Sequence, residues 1–182
     1  MHKLSHLIDG EWQPHVFAAQ YALDNASGKP RLIAGVPGGQ PAVFERLASC
    51  LAPPYFVLYV LHTPRGEGEA GRYQSPEMSI EAFHAFMTRF GSYLAQDARF
   101  DIWLHSSSDK ATVVWDRHHE LFAYGPLERF AAELQALGFT EGERELLDTH
   151  QHHYRAECDA DAAALLSWQA WRYSPLCPED EQ

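Results

Sequence analysis

Five of the chain's eleven histidines crowd into two short stretches, and imidazole is the side chain that binds borderline metals and exchanges protons near neutral pH. The denser stretch is His150-Gln151-His152-His153, with Glu157 and Cys158 behind it. Wound as a helix, it sets His150, His153 and Glu157 at i, i+3 and i+7 on one face, where two imidazoles and a carboxylate can share a cation. Drawn out as a strand, it puts His150 and His152 on one face instead. The second stretch, Asp116-Arg117-His118-His119-Glu120, reads as a hairpin tip. Its His118 and His119 complete a coordination sphere only where the fold carries them to the first cluster. Zinc or another divalent metal is the ion such a set would take, with Glu120 or Glu157 as base or further ligand of a metal-dependent hydrolase. Neither stretch is an HExxH or a CxxC motif, and histidines on a polar acidic helix ordinarily serve as solvated residues or caps. The default expectation is therefore a protein without a cofactor.

Other motifs fail on context. Gly66-Glu67-Gly68-Glu69-Ala70-Gly71 matches GxGxxG as a string, but a dinucleotide fingerprint opens directly into a helix. Here Arg72-Tyr73-Gln74-Ser75-Pro76 intervenes and two glutamates would face the phosphates, so a flexible surface loop is expected. No P-loop and no GxSxG elbow occurs, which removes support for phosphate-loop NTPases and ordinary α/β-hydrolases. Cys50, Cys158 and Cys177 are odd in number and lack CxxC spacing, so reduced thiols are expected. With no complete catalytic motif, the leading expectation is a non-catalytic protein.

The elements that must position these groups can be read from periodicity. Asp9-Gly10 between apolar flanks marks a tight hairpin, and 16–23 and 32–36 are strand candidates. Pro41 suits the first turn of a helix over Val43, Phe44, Leu47 and Leu51. The continuous apolar run within 54–62 predicts a strand buried on both faces, followed by a polar loop over 63–77. Ile80, Phe83, Met87, Phe90 and Leu94 form a helical stripe with Ser79 as its N-cap. Three β-like runs at 100–105, 111–116 and 120–124 predict an antiparallel meander. Gly125-Pro126 opens a further helix that Gly138 closes, and 141–173 reads as two more. The fold class expected is α+β: a sheet with one βαβ crossover followed by a three-strand meander, helices packed on the sheet, and a C-terminal helical pair. Residues 1–175 should form one domain, with 176–182 as a frayed acidic tail. If strands 55–62 and 99–105 are the parallel pair, their C-terminal ends gather His62, His105 and the helix turn bearing His84 into a small-ligand edge.

Composition bounds the function. The formal net charge is −11 with the histidines neutral. Residues 139–182 carry most of it, ten acids against Arg144, Arg155 and Arg172. A negative field repels phosphates, so nucleic acid is not an expected partner, whereas a basic protein is. The leading expectation is an acidic immunity-like or inhibitor-like protein that sequesters a basic partner such as a toxin. Trp103 and Trp115 would be its aromatic anchors, and Glu141, Glu143, Asp148, Asp159 and Asp161 its charged contacts. The longest apolar run is far too short to span a bilayer, and no secretory h-region is seen, so a cytoplasmic protein without membrane contact is expected.

Overall fold

The computed structural model describes residues 2–25 and 28–180; positions 1, 26 and 27 of the expected domain, and 181 and 182 of the expected tail, lie outside the described residues. In chain order the elements are β1 (Leu4–Ile8), β2 (Glu11–Pro14), β3 (Gln20–Asp24), β4 (Arg31–Gly35), α1 (Pro41–Ala48), β5 (Tyr55–Leu61), β6 (Gly71–Gln74) and α2 (Ile80–Gln96). There follow β7 (Phe100–Ser106), β8 (Ala111–Trp115), β9 (Glu120–Tyr124), α3 (Leu127–Ala136), β10 (Thr140–Glu141), β11 (His150–His152), α4 (Asp159–Ser167) and β12 (Arg172–Ser174). Nine strands make one mixed sheet in the order β10-β3-β4-β9-β8-β7-β5-β6-β12, and β11-β1-β2 make a small antiparallel sheet. The fold is α+β with helices packed on the sheet, as expected.

Local chemistry explains much of this. Asp9 and Gly10 both hold positive φ, 50° and 85°, the pair a two-residue turn needs to match the twist of β1 and β2. Ser79 accepts a hydrogen bond from the Ala82 amide, and its helix α2 buries Phe83, Phe86, Met87, Phe90 and Leu94. Those side chains meet Val57, Tyr59, Leu61, Phe100, Ile102 and Leu104 of β5 and β7 in the main core, which also takes in α1, α3 and α4. Because side chains alternate along a strand, the opposite face carries Leu58, Trp103, Val114, Phe122 and Ile33, and among the described residues no helix lies over it.

The crossover differs from expectation in one respect. Strand β5 runs antiparallel to β7, pairing Leu61 with Phe100 and Tyr55 with Ser106. It is also antiparallel to β6, so the crossover through α2 joins β6 to β7, which are parallel to each other with β5 between them. The cause is β6 itself: four residues, Gly-Arg-Tyr-Gln, inside the stretch read as a loop, reverse the chain before α2 begins. The expected small-ligand edge is therefore not assembled. His62 lies beyond one end of β5 and hydrogen-bonds Asp101 at 2.8 Å, while His105 lies at the other end beside Thr112, and His84 is an exposed residue of α2.

The C-terminal region is a second correction. Only α4 is an α-helix there; residues 140–158 hold β10, β11 and a single 3-10 turn, because β1 and β3 present edges that pair with the two strands. Arg99, wholly buried, ties this region down. Its guanidinium meets both oxygens of Asp97 at 2.8 Å, Glu67 at 3.0 Å and Asp159 at 2.9 Å, so the glycine-rich loop is anchored through Glu67 and leads into β6 rather than a helix. Residues up to 180, expected to fray, fold back: Asp180 is buried, accepts from the Cys177 amide at 2.8 Å and faces Arg72 at 3.4 Å.

Candidate metal centre

The hairpin between β8 and β9 is shaped by one carboxylate. Asp116 Oδ1 accepts from the amides of His118 at 2.9 Å and Glu120 at 2.8 Å, while Oδ2 accepts from His118 Nδ1 at 2.6 Å. Asp116 is buried, so the turn and the ring orientation are fixed together. A carboxylate can only accept; His118 Nδ1 therefore carries the proton and Nε2 carries the lone pair.

Strand β11 supplies the other half. It pairs with β1 in the register Leu4 with His152, Ser5 with Gln151 and His6 with His150. Extended backbone puts His150 and His152 on one face. His150 Nδ1 donates to the Asp148 carbonyl at 2.9 Å, which again leaves Nε2 free to coordinate. The three rings of His118, His150 and His152 close into a triangle with centroid separations of 5.2, 4.7 and 5.3 Å. One nitrogen from each lies within 4.8 Å of the others, and among the described residues this is the one such group of three. Zinc–imidazole bonds of about 2.0–2.1 Å set nitrogens roughly 3.3 Å apart in a tetrahedron, so small side-chain rotations bring the triad onto an ion.

Electrostatics keep one of these rings in the ligating form. Burial, then the neighbouring His118 and His150, push the His152 imidazole down to about 3, so it is neutral at pH 7. Its Nε2 is buried with no hydrogen-bond partner in the protein, the kind of orphan that a bound ion would satisfy. His118 and His150 also line an open cleft of about 170 Å³, with Asp116, Glu120, Phe122 and Arg144 around it. There the Glu120 carboxylate is held by Arg144 through two bonds of 2.8 Å.

The helical reading of these histidines is corrected. His153 points away to Ser5 Oγ at 2.8 Å and against the His2 ring, and Glu157 is an exposed residue of the 3-10 turn. His119 is buried and stacked on Trp115 at 5.8 Å, so it faces the core and not the cluster. The residue that helical spacing misses is His152, and the signal that finds it is the period-two alternation with His150.

The expected partner-binding residues differ in their surroundings. Trp115 is fully buried against Phe44 and Lys3, which overturns it as an exposed anchor. Asp159 pairs with Arg65 and Arg99, and Asp161 with Arg89 at 2.9 Å. Glu141 sits on the edge strand β10, Glu143 and Asp148 are exposed, and Trp103 stands partly exposed on the helix-free face of the sheet. No helix among the described residues is long and apolar enough to cross a membrane. In comparisons with known proteins the chain matches no family model, no curated protein and no solved structure, so a reading of its function stands on the site alone.

Proposed function

We propose that the chain binds a divalent transition metal, zinc by preference, through His118, His150 and His152, and uses it as a metal-dependent hydrolase. The observation that carries this is the convergence of three imidazoles from two distant segments. Asp116 and the Asp148 carbonyl stand behind two of them as outer partners. Structural zinc sites ordinarily close with four protein ligands, whereas three ligands beside a cleft leave a position for water, whose pKa zinc lowers to about 7. Glu120 and Asp116 line the same cleft and are the carboxylates that would act on that water or a substrate. The acidic-binder alternative has less beneath it, since Trp115 is buried and two of its five carboxylates are already paired with arginines.

The test is cobalt and zinc titration of chelator-stripped protein. One equivalent with the intense visible bands of tetrahedral cobalt is expected, lost in His118→Ala, His150→Ala and His152→Ala. His153→Ala should retain it, since His153 bonds Ser5 instead. Removing one of three ligands should weaken binding by at least about 100-fold, judged against the 10–100-fold that even outer-shell losses cost. If the His153 variant loses the metal while the His152 variant keeps it, the assignment is wrong. Stoichiometric zinc with no hydrolysis of p-nitrophenyl acetate or bis(p-nitrophenyl) phosphate above the stripped protein would sink the hydrolase half.

A further inference from the structure

The helix-free face of the main sheet holds a second site, independent of the metal. Cross-strand register places Leu58 opposite Trp103 and Thr112 opposite both His105 and Tyr124, so these side chains stand on one surface. Two adjoining hollows of about 320 and 620 Å³ share Trp103, His105 and Thr112 as common walls, within the size range of small-molecule sites. Trp103 packs against the small cluster of Ile33, Val114 and Phe122 on the same face, so the indole is flanked by apolar side chains.

The charge around it runs against that of the whole chain. Lysine occurs at three positions only, and Lys3 is buried in the core. The remaining two, Lys29 and Lys110, both line the larger hollow. Among the described residues no aspartate or glutamate lines either hollow, in a chain whose acids outnumber Lys and Arg by 25 to 14. Asp109, next to Lys110, is turned to the Ala52 amide at 2.6 Å, and Arg31 is bound to Asp24 and the Tyr124 hydroxyl. An aromatic floor with two ammonium groups at its rim suits a flat ring that carries a negative charge.

We propose that this face binds a planar aromatic anion of mononucleotide size, its ring on Trp103 and its anionic group at Lys29 and Lys110. The experiment is a titration of chelator-stripped protein with AMP and, separately, naphthalene-2-sulfonate, following the indole N–H resonance of Trp103 by NMR. Adenosine and inorganic phosphate serve as half-probes, and the His150→Ala variant excludes binding through metal. Both aromatic anions should shift the Trp103 signal saturably, at least about tenfold more tightly than either half-probe. Lys29→Gln with Lys110→Gln should weaken both about tenfold or more, and Trp103→Leu, followed through the backbone amide resonances of His105 and Thr112, should abolish the difference between AMP and phosphate. Silence of Trp103 at millimolar concentrations of both aromatic anions would overturn the proposal. So would phosphate binding as tightly as AMP, which would leave a simple anion site, or binding unchanged by the double substitution.

Discussion

At the scale of single residues, Lys3 shows how a charge is held where water is excluded. Its ammonium group is buried, donates to the carbonyls of Leu94 at 3.3 Å and Asp116 at 3.1 Å, and lies over the rings of Phe100 and Trp115 at 5.3 and 5.1 Å. Burial pulls its pKa down to about 8 against the partial support of Asp116, Asp101 and Asp97. The unfolded chain, with a lysine near about 10.4, holds the proton more tightly through that window, so Lys3 makes stability rise with pH between about 8 and 10.4. The contribution is full above the unfolded value and lost as pH falls towards 8, and it amounts to about 3 kcal/mol at most. Buried tyrosines titrate nearby in the opposite sense, but they are common to wild type and Lys3→Met. Urea unfolding of both at pH 8, 9 and 10 should therefore show the wild type gaining relative to the variant. Parallel curves would show that Lys3 is not shifted. The same carbonyl of Asp116 that receives Lys3 belongs to the residue that orients His118, which links the buried amine to the candidate site.

At the scale of elements, the metal centre depends on a three-residue strand. β11 carries two of the three imidazoles and is held to the body by its pairing with β1. So short a strand opens easily unless something else restrains it, and a ligand bound to the closed form supplies that restraint in proportion to its saturation. Zinc at about 100 times its Kd should slow amide exchange in residues 4–6 and 150–152 by up to about 100-fold, with β5 and β7 little changed. Equal slowing everywhere, or none, would show that the ion is not held by β11. What was legible in the sequence follows the same logic of length. The β1–β2 turn is announced by Asp9-Gly10, α2 by a five-residue apolar stripe, and the meander by its short links, because each carries a strong local pattern. Strands β6, β10 and β11 are two to four residues long and mostly polar, and they exist because a neighbouring edge pairs with them. That pairing is a tertiary fact. Missing β6 misdirected β5 against β7, and missing β11 put His153 where His152 belongs.

At the scale of the whole molecule, folding separates what composition averages. The sequence isoelectric point of about 5.4 treats all eleven histidines as ordinary imidazoles that charge near pH 6.5. In the folded chain, burial pushes His2, His15, His119, His152 and His153 downward, His119 as far as about 2 and His152 to about 3. A base whose folded pKa lies below its unfolded value stays neutral where the open chain would be protonated. Near pH 5.4 the folded, metal-free protein must then be more negative than the unfolded one. Two consequences follow from that sign. The native isoelectric point should fall below 5.4, and the solubility minimum should move down with it, because self-association is greatest where net charge vanishes. Stability should also decline as pH drops below about 6.5, since the unfolded state takes up protons the folded state refuses. Isoelectric focusing of chelator-stripped protein with and without urea reads the first effect directly. A native band at or above the denatured one would mean that these imidazoles are open to water, and with that His152 would lose the burial that holds its ring neutral for a metal.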